Sequence, residues 1–225
     1  FKSGIESWIN AVGTATDEQD KLAKAKAAHD KVCDSVSYND EVVQDYQITD
    51  DEEQEYHTQS AYSAVVDGLS VCAGYSEAYV MLCNAIGIDA VAVTSYGHQW
   101  NEIRVNNSWY NVDCTFDDQS TIMYTYFMDS DANYTDSSRD NSTNIASHTC
   151  ESFWQYFKPV CTLSIGSTRT TAGDTLPEPE GTVTNPELYV VKYGDSYKVY
   201  VNDDAEDATE DAAIYYTCDG TDPSV

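Results

Sequence analysis

Three residue types that serve nucleophilic catalysis occur in the order cysteine, histidine, aspartate along the middle of the chain. Cys72 stands near the start of a predicted helix, where free backbone N–H groups and the positive helix end favour the reactive thiolate. A cysteine nucleophile also needs a base that can hold its proton and a third group that orients the base. His98 and Asp113 are the candidates for these roles. Each of the three is commoner as a structural residue, so the prediction depends on the fold bringing them together.

A helix and a hairpin must position these residues. Hydrophobic periodicity predicts the helix over residues 71–86, with Ser70 as a candidate N-cap and Gly87 as the stop. An earlier helix is predicted over residues 16–36, where Thr16 and Gln19 have capping-box spacing. Strand patterns follow, and they cover residues 90–95, 98–105 and 109–114.

Strand register tests whether the hairpin can pair histidine with aspartate. Asn106 and Asn107 form a polar turn between the second and third strands. With a two-residue turn Asp113 faces Trp100, which shares a face with His98 because strand side chains alternate. Asp113 and His98 are then diagonal neighbours on one face, whereas a three-residue loop would separate them. The hairpin therefore permits a Cys–His–Asp triad.

Composition bounds the remaining possibilities. The 225 residues carry 39 acidic and 11 basic side chains, a net charge of −28. Such a field excludes nonspecific nucleic-acid binding and disfavours anionic membrane surfaces. No apolar run is long enough for a membrane span, so no membrane insertion is expected. The chain begins with Phe1 rather than Met, which is typical of a processed or trimmed piece.

The domain organisation follows from shifts in composition. We expect residues 1–162 to form the larger domain, residues 163–186 a linker rich in Gly, Pro, Ser and Thr, and residues 187–225 a small β module, complete or truncated. Within the larger domain, residues 117–150 are expected to form irregular loops around one buried strand. Strand patterns in the last part cover residues 188–193, 197–201 and 213–217.

Three segments resemble the transglutaminase-like superfamily, in family order and at family-like spacing over roughly residues 16–160. They are Gly68-Leu69-Ser70-Val71-Cys72-Ala73-Gly74-Tyr75-Ser76-Glu77-Ala78-Tyr79, Gly97-His98-Gln99-Trp100-Asn101-Glu102 and Trp109-Tyr110-Asn111-Val112-Asp113-Cys114-Thr115-Phe116-Asp117-Asp118. The resemblance implies an α+β, papain-like core in which the nucleophile helix packs on an antiparallel sheet. It makes Cys72 the nucleophile, His98 the general base and acid, and Asp113 the orienting group.

The implied reaction is cysteine-dependent acyl transfer through a thioester, with hydrolysis of a protein or peptide amide as the first choice. The substrate would come from a cell wall or a host, and no cofactor is expected. Crosslinking to an amine is the enzymatic alternative, because the same triad serves both reactions. A non-catalytic surface-binding protein that keeps the fold is the alternative from another class.

The last residues resemble a second family. The segment Ile214-Tyr215-Tyr216-Thr217-Cys218-Asp219-Gly220-Thr221-Asp222-Pro223 is similar to a motif in the β-sandwich-like module at the C-terminus of chitobiase-type hexosaminidases. Such modules also occur on bacterial surface proteins. Together the two resemblances imply a secreted or surface-attached bacterial protein, with an extracellular or cell-surface location.

Supporting roles in the site are assigned by position. The backbone N–H of Cys72 is the natural oxyanion donor, and Gln59 or Tyr38 is the candidate for the second donor. The cleft candidates are Tyr75, Trp100 and Trp109, for which packing in the core is the alternative.

The remaining cysteines and histidines allow fewer conclusions. Seven cysteines are an odd number, so at least one is unpaired even in an oxidising compartment, and Cys72 is the candidate. Cys150 and Cys161, which flank an aromatic segment, form the candidate disulfide. His148 is expected to be a surface or packing residue rather than a supporting group of the site. No Cys-x-x-Cys or His-x-x-x-His spacing predicts zinc, so no metal site is expected.

Overall fold

A computed structural model of the chain describes residues 1–41, 57–95, 97–150, 155 and 157–165, and the backbone of residues 187–193 and 196–202. Its helices are α1 Lys2–Val12, α2 Glu18–Ser35, a π-helix Ser63–Asp67, α3 Cys72–Ala85, and the short helices α4 Cys114–Asp117, α5 Asp131–Tyr134 and α6 Ser142–Ser147. Its strands are β1 Ser37–Tyr38, β2 Leu69–Ser70, β3 Ala90–Ser95, β4 His98–Val105, β5 Ser108–Val112, β6 Phe127–Asp129, β7 Glu187–Tyr193 and β8 Ser196–Asn202.

An antiparallel sheet in the order β3-β4-β5-β6 forms one layer, and helices form the other. Helix α3 packs between this sheet and α2, and its large apolar side chains are fully buried because both of its flanks are covered. Tyr75, Tyr79 and Leu82 are among these core residues. The predicted α+β class, with a helix packed on an antiparallel sheet, is confirmed.

The β4–β5 hairpin has the predicted two-residue turn. Val105 pairs with Ser108, and Asn106 and Asn107 have positive φ angles of 53° and 61°. Two consecutive left-handed residues define a type I′ turn, whose twist matches that of the paired strands. This register is the one for which His98 and Asp113 lie on the same face.

The structure corrects both predicted helix caps. Helix α2 is capped by Asp17, whose side chain accepts from the Asp20 N–H, so the capping residue is one position later than Thr16. Helix α3 follows Val71 without a side-chain cap, and the buried Ser70 hydroxyl instead donates to the Thr58 carbonyl. Ser70 is therefore part of the packing beneath the helix. Helix α1 was not predicted.

The first unit extends past the expected domain end at residue 162. Ile165 is buried in the core, and its N–H donates to the Met128 carbonyl. The chain divides into compact units Phe1–Leu176 and Pro177–Val225, and in the second unit β7 and β8 form an antiparallel pair. The strand expected at 213–217 and the motif at 214–223 lie outside the described residues. No helix in the described part of the chain has the length and apolarity to span a membrane.

Gly74 allows the first turn of α3 to pack closely against Ser60 and Ser70. A Cβ atom on Gly74 would overlap the Ser70 hydroxyl and would come within 2.6 Å of the Ser60 carbonyl oxygen. A backbone oxygen cannot rotate away as a side chain can. The close approach therefore fixes the position of the first turn of α3, which carries Cys72.

We expect Gly74→Ala to destabilise the fold by roughly 1–3 kcal/mol, the cost of overpacking, although alanine is the better helix former. Urea unfolding measures the effect, with Met81→Ala on the partly exposed side of the same helix as the control. An unchanged midpoint for Gly74→Ala would contradict the close packing described here.

Candidate active site

Cys72 is the first residue of α3 and lies at the positive end of the helix. Val71 before it is extended, and no side chain caps the helix. The first-turn N–H groups therefore place partial positive charge beside the sulfur. Cys72 is half-buried, whereas the other five cysteines that the structure describes are buried. This position suits a thiol that has to meet a substrate.

Asp113 joins the end of β5 to the start of β4. Its Oδ2 lies 2.6 Å from Nε2 of His98, the first residue of β4. Its Oδ1 accepts from the N–H groups of Thr115 and Phe116, so the same side chain caps α4. The two carboxylate oxygens thus have separate partners. Asp113 orients the ring of His98 while its own position is fixed by the helix that it caps.

The His98–Asp113 pair favours the charged form of both side chains. Burial alone lowers the pKa of His98, but the charge of Asp113 and hydrogen bonds to Asp113 and Cys72 raise this pKa to about 10. Burial alone raises the pKa of Asp113, but the charge of His98 and hydrogen bonds to His148 and His98 hold it well below its usual range. Since Nε2 of His98 faces Asp113, Nδ1 is the ring nitrogen left for Cys72. An imidazolium therefore stands between the thiol and the carboxylate at neutral pH.

His148 is a second histidine on the same carboxylate. Its Nε2 lies 2.9 Å from Asp113 Oδ2, and its Nδ1 lies 3.0 Å from the Asn144 carbonyl oxygen. The ring is buried in a cage of aromatic rings with centroids 4.6–5.4 Å away, contributed by Trp100, Phe116, Tyr126, Tyr134 and His98. It had been expected to be a surface or packing residue. The sequence offers only weak signals for this contact, because His148 ends a short helix far along the chain from Asp113.

Comparisons with known proteins find similarity over part of the chain. Residues 10–114 match the model of the transglutaminase-like superfamily. The matched residues make up a little less than half of the chain. At the level of the superfamily, the match supports a cysteine-dependent acyl transfer or hydrolysis. The matched residues do not include the segment for which a C-terminal module is predicted. No curated protein matches the chain in sequence.

Two solved structures resemble the chain at low identity. One, "Crystal structure of a TGase", is 20% identical with a TM-score of 0.40, and the similarity covers 51% of this chain and 30% of that one. The other, "a Putative Cysteine Protease from Cytophaga hutchinsonii", is 16% identical with a TM-score of 0.35, and the similarity covers 51% and 37%. The matched part therefore corresponds to about a third of the length of each solved chain.

The structure places both oxyanion candidates on segments that contact the residues directly before Cys72. Strand β1 pairs with β2, so Tyr38 stands opposite Ser70. Burial and then the charge of Cys72 raise the pKa of Tyr38 to about 12. Gln59 is exposed and follows Thr58, whose carbonyl accepts from the Val71 N–H. Of these two candidates, Tyr38 is the one with a described interaction with Cys72.

The three cleft candidates have different positions. Tyr75 is fully buried and its hydroxyl donates to Asp118, so it is a core residue and not part of a cleft surface. Trp100 is buried, stacks on His98 at 6.1 Å and donates to Asn111, so it supports the ring from behind. Trp109 pairs with Arg104 beside the hairpin turn, at the end of β4 away from His98, and does not border the cysteine.

The predicted disulfide between Cys150 and Cys161 is absent, since both thiols are free. The Cys150 thiol donates to the Thr94 carbonyl. Cys161 lies beside the buried Glu102, and burial is the main reason why its pKa is well above the usual value. The two sulfurs therefore have different partners.

Within the described residues, three groups bring potential metal ligands within 4.8 Å of one another. In the group of His98, Asp113 and His148, the Nε2 atom of each histidine lies at hydrogen-bonding distance from the same Asp113 oxygen, Oδ2. In the group of Glu102, Asp131 and Cys161, the Lys158 ammonium lies 2.7 Å from each carboxylate and already supplies the cation. The third group consists of His29, Cys33 and Cys114.

We expect Asp113→Asn to lower the pKa of His98 from about 10 towards the ordinary 6.5, because asparagine removes the charge. Asparagine still offers an oxygen for the α4 cap, whereas Asp113→Ala also loses the cap at a further cost of about 1 kcal/mol. NMR titration of the His98 ring measures the shift. An unchanged titration in Asp113→Asn would show that the carboxylate charge does not raise this pKa.

The same pair makes stability depend on pH. The folded chain holds the His98 proton more tightly than the unfolded chain, so the stabilisation is full below pH 6.5 and is lost as the pH rises through about 10. On the acid side the same interaction is lost as the pH falls through the lowered pKa of Asp113. Urea unfolding between pH 6.5 and 10 should therefore show a larger loss in the unsubstituted chain than in Asp113→Asn.

We expect His148→Phe to destabilise the fold by about 1–3 kcal/mol, because the ring still fills the aromatic cage but Asp113 loses a buried partner. The midpoint of acid unfolding should also move to higher pH, since the pKa of Asp113 is less strongly lowered. The exposed neighbour in Thr149→Ala is the control. If His148 only fills space, the acid midpoint will stay where it is.

Proposed function

We propose that this chain hydrolyses amide bonds of proteins or peptides through a thioester on Cys72. The observation that carries the proposal is the arrangement of three side chains. The half-exposed Cys72 thiol lies at the positive end of α3, the His98 ring follows, and Asp113 Oδ2 lies 2.6 Å from Nε2 of that ring. The imidazolium of His98 stabilises a thiolate on Cys72, and the carboxylate of Asp113 stabilises and orients the imidazolium.

In the proposed reaction the Cys72 thiolate attacks the amide carbonyl carbon, and a tetrahedral oxyanion forms. The C–N bond then breaks as His98 gives its Nδ1 proton to the leaving amine, and the acyl group remains on sulfur as a thioester. Water attacks this carbonyl while His98 takes one of the water's protons. Cleavage of the C–S bond releases the carboxylic acid and restores the thiolate and the imidazolium.

The oxyanion requires donors on the side of the carbonyl away from His98. We assign the first to the backbone N–H of Cys72 at the uncapped start of α3. Tyr38 is the favoured second donor, because a pKa of about 12 keeps its hydroxyl protonated at the pH of the reaction. Gln59 is the alternative, on the segment that hydrogen-bonds Val71.

The substrate class follows from charge. A net charge of −28 favours neutral or cationic peptides over acidic ones, whether these come from a cell wall or from a host protein. It also suits an exported, soluble protein of the cell surface or medium, which is the location we propose. Transfer to an amine is the competing outcome, because only the acceptor that attacks the thioester differs.

We expect a thiol-directed reagent at neutral pH to modify Cys72 first, since the other described cysteines are buried. The experiment uses Cys218→Ser to remove the cysteine outside the described residues, and peptide mapping by mass spectrometry locates the label. Cys72→Ala in this background should take up no label under the same conditions. An inert Cys72 in the folded chain would contradict the proposed nucleophile.

Incubation with glutamine-containing peptides, with and without a primary amine, then distinguishes the reactions by product mass. Backbone cleavage or deamidation without incorporation of the amine supports hydrolysis, and both should be lost in Cys72→Ala. Incorporation of the amine would identify a crosslinking enzyme. Binding without turnover by a chain whose Cys72 is reactive would favour the non-catalytic surface protein.

A further inference from the structure

A lysine between two carboxylates lies against the face of β4 that carries His98 and Trp100. Lys158 Nζ lies 2.7 Å from Oε1 of Glu102, a fully buried residue of β4, and 2.7 Å from Oδ1 of Asp131, the first residue of α5. The side chain of Lys158 is itself mostly buried, with 16% exposed. The mechanism proposed above uses none of these three groups. An amine and a carboxylate at this separation are the two halves of an amide bond.

The two carboxylates have different surroundings. Asp131 accepts a hydrogen bond on each oxygen besides that from the lysine, from Asn111 Nδ2 at 2.9 Å and from the Cys161 N–H at 3.1 Å. Such donors stabilise an oxyanion that forms at the carboxyl carbon. Glu102 Oε2, in contrast, is buried and accepts no N–H or O–H group of the described residues, and the weakly donating Cys161 thiol is the other neighbour of this carboxyl. Asp131 is therefore the better electrophile, and Glu102 is the better carrier of a proton.

Burial prepares Glu102 to take the proton that Lys158 must lose before its nitrogen can attack. Burial alone lowers the pKa of Lys158, but the charges of Glu102 and Asp131 raise this pKa above its usual value, so the ammonium is the resting form. Burial is also the main reason why the pKa of Glu102 is raised to about 7, against the charge of Lys158. Transfer of one proton within this pair removes two charges from the interior, which lowers the cost of forming the neutral amine there.

The position of the amine and an exit for water meet the other requirements of amide formation. The carbon of a carboxylate lies one bond beyond its oxygen, so Lys158 Nζ is close to the near-attack separation of about 3–3.5 Å from Asp131 Cγ. Because the fold holds both groups, an intramolecular step replaces a bimolecular encounter, which raises the effective concentration by orders of magnitude. A cavity of about 340 Å³ borders Lys158 and Asp131 and gives the released water a way out.

We propose that Lys158 and Asp131 join in an intramolecular isopeptide bond, with Glu102 as the proton carrier. The Lys158 ammonium first gives a proton to Glu102. The amine nitrogen then bonds to Asp131 Cγ as Glu102 returns the proton to an Asp131 oxygen. Glu102 next takes a proton from the bonded nitrogen and delivers it to the new hydroxyl group, and the C–O bond breaks. One ammonium and one carboxylate thus become one amide and one water molecule, and Glu102 ends as a carboxylate again.

The bond closes a loop that contains α6 and His148. Residues 131 and 158 are 27 positions apart, and the chain between them brings His148 to Asp113. A covalent closure restricts the unfolded chain, and the reaction also removes two charges from a mostly buried place. The linked chain is therefore more stable than the unlinked chain, and the bond secures the segment that completes the surroundings of Asp113.

We expect the reduced full chain, after incubation at neutral pH, to weigh less than its sequence by the mass of one water molecule. Mass spectrometry of the denatured chain measures this deficit, and peptide mapping should find one branched peptide that joins residues 131 and 158. Lys158→Arg keeps a cation between the carboxylates, but it should restore the full mass and melt at a lower temperature. Glu102→Gln keeps the shape of the side chain without its capacity to carry a proton, and most of this variant should stay unlinked.

Two matched controls separate this bond from other changes of mass. Lys26→Arg alters a part-exposed pair on α2, in which Lys26 Nζ lies 2.6 Å from Asp30 Oδ2, and should keep the deficit. Cys72→Ala should also keep the deficit, because the proposed step needs no thioester. A full mass in Cys72→Ala would assign the bond to the activity of Cys72 and would contradict the role of Glu102. Should Glu102→Gln fail to fold, the mass of the unsubstituted chain and of Lys158→Arg still decides.

Three further results would overturn the proposal. They are a folded chain that keeps its full sequence mass after prolonged incubation at neutral pH, a deficit that Lys158→Arg leaves unchanged, and a branched peptide that joins Lys158 to Glu102 rather than to Asp131. The mass of the chain does not depend on the reactivity of Cys72 towards peptides, so the amide-hydrolysis proposal and the isopeptide proposal can fail separately.

Discussion

The site depends on the need to pair the buried carboxylate of Asp113 with hydrogen-bond donors and positive charge. An ionised group in the interior is stable only when it is paired and hydrogen-bonded. Asp113 meets this condition with N–H groups of α4 on one oxygen and two imidazoles on the other. Its own N–H donates to the Tyr126 carbonyl. The hairpin, α4 and the end of α6 therefore converge on one side chain, and His98 derives its orientation and its raised pKa from that convergence.

The parts of this arrangement that local patterns encode could be predicted from the sequence. The periodicity of α3 and the Asn106-Asn107 turn each depend on neighbours within a few residues, and the turn alone fixes the register of β4 and β5. The relative placement of His98 and Asp113 follows from that register. The family resemblance adds Cys72, since no local rule places a helix start against a strand end.

The rest depends on contacts between distant segments, which no local pattern records. His148 approaches Asp113 across 35 positions, and the Cys33 thiol reaches the Cys114 carbonyl across 81. Tyr75 was expected in the cleft because aromatic residues suit both surfaces and cores, and the tertiary packing of α3 decides between them. The expected Cys150–Cys161 bridge rested on position alone, and the two thiols have different neighbours.

The partner that completes the surroundings of Asp113 lies at position 148, beyond the family match that ends at 114. During synthesis, Cys72, His98 and Asp113 have therefore all left the ribosome before the chain can enclose the carboxylate. The site is completed late, by a segment outside the recognisable domain. A fragment cut at the family boundary would keep all three residues and lose the enclosure, so domain limits drawn from sequence similarity understate the length of chain that this site requires.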